Sequence, residues 1–169
     1  MFLRIFYSFL IVLFVIVIVK LLLPKPPANY RLSQAIKPYE YNLTIQPFLR
    51  AKDASKQFTF NGEVFIALQA LKHTSKAIEL HAKKLKISDV RLYNAAGIEI
   101  QKIESELRNY DAETNKLSLS LTKALKLSAN YTLYVKYTGK ISKAMEGVFR
   151  FHQNEEERQE SELWFEIDL

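Results

Sequence analysis

Three residue types that build many functional sites are scarce in this sequence: its 169 residues include no cysteine, four glycines and three histidines. The absence of cysteine excludes disulfide bonds, iron–sulfur clusters, thiolate zinc sites and cysteine nucleophiles. Four glycines leave little material for a phosphate-binding loop, a dinucleotide fingerprint or a Gly-x-Ser-x-Gly elbow, and none of these motifs occurs. No histidine is followed by glutamate, so the His-Glu-x-x-His zinc motif is absent as well. We therefore predict no catalytic, cofactor-binding or metal-binding residue.

Charge is distributed unevenly along the chain. The first 25 residues hold three basic and no acidic side chains, residues 26–149 hold 19 basic and 11 acidic ones, and residues 150–169 hold two basic and seven acidic ones. The lysines of the middle part are separated by apolar residues rather than gathered with aromatics into a stripe, so we expect no nucleic-acid partner. The acidic segment at 155–162 is interpreted as a solvated loop, with an interaction tail as the alternative.

A long apolar run lies near the N-terminus, at residues 5–23, and contains one charge, Lys20. Its length nearly matches the roughly 20 residues that a helix needs to cross a bilayer. Prolines at 24, 26 and 27 end such a helix. The run predicts an uncleaved signal-anchor, with residues 1–4 as a short cytoplasmic N-terminus and 24–30 as a Pro-rich linker. A cleaved signal peptide is the alternative, although the run exceeds the usual length of about 7–15 residues.

Two features disagree about the side of the membrane on which the rest of the chain lies. Arg4 and the α-amino group precede the apolar run, whereas several basic residues lie at its end and beyond, which slightly favours a cytoplasmic C-terminal part. Two N-glycosylation sequons, at 42–44 and 130–132, indicate the opposite side if they are used. Asn42 and Asn130 are therefore the candidate N-glycosylation sites.

From residue 31 onward, short stretches of period-two alternation are separated by turn residues, which is typical of β-strands. The last of these stretches, 131–137, predicts a core strand because its odd positions are all apolar or aromatic. Asn61-Gly62 interrupts another stretch and is either a hairpin turn or a bulge. A first strand places four residues on one apolar face: Tyr39, Tyr41, Leu43 and Ile45. Further strands are predicted at 77–81, 86–93, 98–103 and 116–121.

This pattern predicts an all-β fold, an antiparallel β-sandwich of about seven or more strands preceded by one N-terminal transmembrane helix. Alternation of aromatics at this spacing is far more common in protein cores than in ligand cages. His81, which ends one predicted strand, is interpreted as a structural strand residue.

Several segments, taken in order, resemble the N-terminal domain of the zinc aminopeptidases typified by aminopeptidase N. Residues 60–66 (FNGEVFI) are similar to the family's Phe-x-Gly-x-Val-x-Ile strand, and residues 78–81 (IELH) to its Ile-x-Leu-His segment. The stretch from Leu125 through 131–139 to 147–150 (GVFR) resembles Leu…Tyr-x-Leu-x-Ile-x-Tyr-x-Gly…Gly-Phe-Tyr-Arg. Matches also occur at 31–33, where Ser33 replaces a family proline, and at 36–38, 41–47, 85–87 and 90–92.

The resemblance covers about residues 31–150 and implies a β-sandwich outside the cell behind a type II anchor. In the family, the zinc helix and the Gly-Ala-Met-Glu-Asn loop belong to a following catalytic domain. Residues 144–146 (AME) match that loop only in part, because Gly147 follows instead of asparagine. The acidic tail at 151–169 holds a candidate final strand but lacks the family's substrate-contacting Thr-Gln-Phe-Glu motif. An incomplete sandwich would expose an edge that invites a partner.

The sequence therefore favours a catalytically inactive aminopeptidase N-like domain in the plasma membrane, single-pass and type II, with the domain extracellular. A secretory-pathway membrane is the alternative location. We expect it to bind another ectodomain or a peptide and to hold no cofactor, since the family's zinc belongs to the catalytic domain. The main alternative is an N-terminal fragment or short isoform of an active zinc metalloaminopeptidase. A third interpretation is a binding module unrelated to peptidases, which predicts the same fold.

Overall fold

The computed structural model describes Phe14 and residues 27–72, 76–143, 147–152 and 161–165. Beyond Phe14, regular structure in these ranges consists of β-strands and two 3-10 turns, Ala54–Lys56 and Ser105–Leu107. The strands are β1 (Ile36–Phe48), β2 (Thr59–Ala70), β3 (Ala77–His81), β4 (Leu85–Asn94), β5 (Glu99–Lys102), β6 (Arg108–Asp111), β7 (Lys116–Ser120), β8 (Asn130–Lys140), β9 (Val148–His152) and β10 (Ser161–Phe165). The prediction of an all-β fold is confirmed.

The strands form a five-stranded sheet in the order β1-β2-β8-β4-β5 and a three-stranded sheet in the order β3-β7-β6, and β9 and β10 pair with each other. All of these strand pairs are antiparallel, as predicted. Strand β8 lies at the centre of the larger sheet because it pairs with β2 on one side and β4 on the other.

The core lies between the two sheets. The predicted apolar face of β8 is buried throughout, at Tyr131, Leu133, Val135 and Tyr137. These residues join a single apolar cluster with buried residues of both sheets, including Leu68, Val90, Leu92, Ile78, Leu117 and Leu119. Apolar area removed from water contributes about 25 cal/mol per Å², so this shared face is the main source of the fold's stability.

Asn61-Gly62 lies inside strand β2, so the interpretation as a hairpin turn is wrong. The alternative, a bulge in one long strand, is correct about the single strand but wrong about the bulge. Strand β2 pairs through these two residues with β1 and with β8 without any shift of register. Gly62 lies opposite Tyr137, and a Cβ at this position would overlap the tyrosine ring. Glycine is needed here for space, because an aromatic ring covers the backbone of the strand.

Strand β1 forms one edge of the larger sheet. Its residues Tyr41, Leu43 and Ile45 pair with Ile66, Val64 and Gly62, whose face is directed to the core, so the predicted alternation is correct for these three. The register shifts between Pro38 and Glu40, so Tyr39 is the extra residue of a bulge and does not continue the alternation.

Several predicted segments fall outside the described residues. The apolar run at 5–23 does so except for Phe14, and the described part of the chain contains no helix that is both long and apolar enough to cross a membrane. Residues 153–160, which hold most of the acidic segment, are also outside. Strand β10 lies in the part of the tail for which the sequence predicts a final strand.

Candidate functional site

Both sequon asparagines lie on the outer face of the five-stranded sheet, the face directed away from the three-stranded sheet. Asn42 is exposed in the middle of β1 and pairs with Phe65. Asn130 is the exposed first residue of β8 and pairs with Gln69. Because side chains two residues apart in a strand share a face, the threonine of each sequon lies on this face too.

The histidines do not come together with other metal ligands in the described ranges. His81 is the exposed last residue of β3, His152 is the last residue of β9, and His73 lies outside the described part of the chain. Among the residues that the structure describes, no group of three or more histidine, aspartate and glutamate side chains could hold a metal ion. Residues 144–146, the partial match to the Gly-Ala-Met-Glu-Asn loop, are outside these residues.

The middle of the outer face is occupied by paired charges. Lys136 Nζ lies 2.7 Å from Glu63 Oε1, and this hydrogen bond and its charge lower the pKa of Glu63 and raise the pKa of Lys136. Burial raises the pKa of Tyr134, whose ring centroid is 4.8 Å from that of Phe65. Charges fixed in such pairs stay ionised near neutral pH and are poorly suited to proton transfer.

An uncovered apolar surface lies on the core-facing side of β1, the edge strand of the larger sheet. We call it the β1 margin and define it as Leu32, Tyr41 and Leu43. Tyr41 is 46% and Leu43 38% exposed, although both lie on the face directed to the core. An edge strand has a neighbouring strand on one side only, so its side chains are covered less than those of the central strand β8.

The β1 margin is flanked by two recesses, one between the two sheets and the other between the larger sheet and the start of β9. One, of about 140 Å³, is lined by Leu32 and Tyr41 together with side chains of β3. The other, of about 240 Å³, is lined by Leu43, Val148 and Lys83 among others. The segment before β1 is fixed in place, because Ser33 N donates to Glu79 at 2.9 Å and Lys116 Nζ donates to the Arg31 carbonyl at 2.7 Å.

The open side of β1 adds backbone groups to this apolar surface. In the described part of the chain, β1 pairs with β2 alone, so half of its backbone donors and acceptors have no strand partner there. Pro38, Pro47 and the bulge at Tyr39 interrupt that edge, and such features limit uncontrolled strand pairing. The side chains of the β1 margin are therefore better suited to contact a partner than the strand edge is.

Fold and surface define the described chain as an antiparallel two-sheet β module with an uncovered apolar margin. It belongs to the peptidase M1 N-terminal domain family, whose family model matches residues 37–163. The match begins in β1 and ends in β10, so it includes every described strand. The family inferred from the ordered sequence segments is confirmed.

Two curated relatives show the same similarity. Aminopeptidase N of Canis lupus familiaris is 26% identical over 137 residues, which cover 78% of this chain and 14% of the dog protein. The thyrotropin-releasing hormone-degrading ectoenzyme of Homo sapiens is 27% identical over 126 residues, which cover 75% of this chain and 11% of the human protein. The chain thus spans about one seventh or less of the length of these relatives.

Sequence reasoning missed the β1 margin because it placed Tyr41 and Leu43 on one apolar face without showing how much of that face is covered. Alternation of apolar and polar residues identifies the face of a strand but not how far the rest of the molecule extends over it. The alternation itself carries no signal of this exposure.

Proposed function

We propose that this chain is a membrane-anchored, catalytically inactive M1 N-terminal domain that acts by binding, with the β1 margin as the contact surface for another ectodomain or a peptide. The observation that carries the proposal is the exposure of Tyr41 and Leu43 on the face directed to the core. Apolar side chains that would be buried in a complete core are the usual anchors of an interface.

The proposal places the domain outside the cell, on a single-pass type II anchor at residues 5–23. One relative is named an ectoenzyme, and both sequon asparagines lie exposed on one face, where glycans would not disturb the core. Catalytic inactivity is proposed because the sequence contains neither His-Glu-x-x-His nor Gly-Ala-Met-Glu-Asn. We accordingly propose that the purified chain binds no zinc stoichiometrically and releases no N-terminal residue from peptides.

The alternative is that the same sandwich is the N-terminal part of an active zinc metalloaminopeptidase. The small share of each relative that the chain covers supports this alternative. In that case the β1 margin is covered by a following domain of the same protein, and the chemistry belongs to that domain.

Photo-crosslinking tests the contact surface directly. The residue Tyr41→p-benzoylphenylalanine is introduced into the full chain and irradiated in intact cells, and adducts are separated by mass. We expect a discrete adduct at position 41, because an aromatic group at an interface centre lies within reach of the partner. Tyr110 provides the matched control, since it is also 46% exposed but lies on β6, at the edge of the three-stranded sheet opposite to β3, the strand that lines the recess beside Tyr41. Equal adducts at both positions, or none at position 41, would contradict the proposal.

The size of the native protein separates the two functions. An antibody against residues 28–149 is used to blot membranes before and after removal of N-glycans. A band near 19.7 kDa after glycan removal supports the binding module. A band several times larger supports the alternative, and peptide hydrolysis by the purified chain that is blocked by a chelator would refute inactivity.

A further inference from the structure

The fold gathers lysines that are scattered in the sequence into one cleft on the outer face of the five-stranded sheet. The cleft is open, encloses about 720 Å³ and lies at the end of the sheet next to the 3-10 turn Ala54–Lys56. Four lysines from three separate segments line it: Lys56, Lys84, Lys86 and Lys140. We call this surface the lysine cleft.

Strand register explains why these side chains meet. Lys140, the last residue of β8, pairs with Thr59, and Lys86 of β4 pairs with Thr138 of β8, so these groups share the outer face. Thr59 Oγ1 donates to the Lys56 carbonyl at 2.6 Å, which holds the 3-10 turn against the start of β2. Lys84 has a φ of 57° in the short connection before β4.

The chemistry of the lining is selective for anions. Besides the lysines, the lining offers hydroxyl and amide groups, including Asn61 and Thr138, and among the residues that the structure describes none that lines the cleft is acidic. Further along the outer face, the Glu63 carboxylate is engaged by Lys136, and the Asp53 carboxylate beside the turn accepts hydrogen bonds from Ser55. Within the described part of the chain, an anion entering the cleft therefore meets ammonium and hydroxyl donors.

The walls of the cleft are also partly apolar. Phe48, which is half-buried, and Ile141 line it, and the lysine side chains add their methylene stems. A cavity of this volume is large for a single inorganic phosphate and falls within the range of small-molecule sites, about 300–1,000 Å³. A ring with an apolar face and several anionic substituents fits both the walls and the charges.

We propose that the lysine cleft binds a sugar or cyclitol ring that carries several phosphate or sulfate esters. Asn61, Thr138 and Lys86 of the cleft lie on the outer face of the sheet, whereas Tyr41 and Leu43 lie on the opposite face. The cleft meets the recess beside Leu43 at the end of the sheet, where Lys84, Lys140 and Ser142 line both. The proposal stands independently of the binding role assigned to the β1 margin.

Binding is measured by titration calorimetry with the full chain in an uncharged detergent. Two compact probes are used, inositol hexakisphosphate for phosphate esters and sucrose octasulfate for sulfate esters. We expect saturable one-to-one binding of at least one probe, weakening as salt is added. The probe that binds more tightly identifies the ester.

The variant Lys86→Gln/Lys140→Gln should weaken binding by about tenfold or more, since each lysine supplies charge-assisted hydrogen bonds. The matched control is Lys123→Gln/Lys126→Gln, which removes the same charge from exposed positions between β7 and β8, at the opposite end of β8. A third variant, Asn61→Glu, places a carboxylate in the cleft and should abolish binding. Equal losses in the two double variants, or no saturable binding of either probe, would overturn the proposal.

Discussion

At the residue scale, two glycines of the larger sheet lie directly opposite aromatic rings. Gly139 of β8 faces Phe60 in the same way that Gly62 faces Tyr137, and the two rings contact each other edge to face at a centroid distance of 6.3 Å. Each ring lies over the neighbouring strand at a position where any larger residue would collide with it. Because each ring fills the space above a glycine, even the single methyl group of alanine at Gly62 or Gly139 should disturb this part of the core.

We predict that Gly139→Ala lowers the free energy of unfolding by about 1–3 kcal/mol, because the added Cβ overlaps the Phe60 ring and forces it out of its position. Urea denaturation monitored by far-UV circular dichroism measures the change. Gly97→Asn is the control, since no atom lies within 4 Å of a Cβ there and asparagine tolerates its positive φ of 74°. A loss as large at position 97 as at 139 would contradict the explanation.

Tyr137 makes stability sensitive to high pH. Its side chain is buried, and burial raises its pKa above the ordinary value of 10.0. A group whose pKa is raised in the folded state contributes stability below the unfolded pKa and loses it as the pH rises through the folded one. We therefore predict that the free energy of unfolding falls above pH 10.0, and that it falls less in Tyr137→Phe. Denaturation curves measured on both proteins across this pH range would reveal the difference.

At the scale of elements, alternation predicts a strand well where one face of the strand is buried and the other is not. Strand β3 occurs at the predicted bounds, and β8 extends the predicted 131–137 by one residue at the start and three at the end. Strand β6 (Arg108–Asp111) was not predicted, because its four residues lack an apolar alternation. Asn61-Gly62 misled the prediction because the same dipeptide that favours a turn also suits a crowded strand.

Strand β6 is fastened to the larger sheet by one arginine. Arg108 Nε and Nη2 donate to the Ile103 carbonyl at 2.8 and 2.6 Å, and Nη1 donates to the Ile87 carbonyl at 3.4 Å. The planar guanidinium thereby joins the start of β6 to β4 and to the segment after β5. An ammonium group cannot reproduce the paired donation to one carbonyl.

We predict that Arg108→Lys lowers the free energy of unfolding by about 1–3 kcal/mol, because buried carbonyls lose charge-assisted hydrogen bonds. Hydrogen exchange should increase first at the amides of β6 and β7 if the arginine fastens this part of the smaller sheet. Arg50→Lys, at an exposed position before the first 3-10 turn, serves as the comparison. Unchanged exchange in β6 would show that the arginine does not hold the strand.

At the scale of the whole molecule, the ordered sequence segments predicted the family and the class of fold, whereas the surfaces could not be predicted. The β1 margin depends on how the edge strand β1 is covered in the folded molecule, and the lysine cleft depends on register between strands that are distant in the sequence. Both are consequences of pairing geometry, which local alternation does not encode. The lysines of the cleft are an example, because they are scattered in the sequence and meet only in the folded sheet.

We predict that both sequons are glycosylated when the chain enters the secretory pathway, because Asn42 and Asn130 are exposed on the outer face. Asn42→Gln and Asn130→Gln should each lower the apparent mass on a gel by one glycan. The mobility of the double variant should not change on treatment with a glycan-removing enzyme. Alkaline carbonate extraction of the same samples should leave the protein in the membrane pellet if residues 5–23 anchor it. A single mobility for all variants would place the domain on the cytoplasmic side.

The central position of β8 also governs how the molecule is made. Its partners β2 and β4 are synthesised well before it, so both lack their shared neighbour until about residue 140 has left the ribosome. Contacts between segments this distant in sequence slow folding, typically to milliseconds or seconds. During that interval one edge of β2 and one edge of β4 lack a strand partner, and unpaired strand edges of this kind promote aggregation.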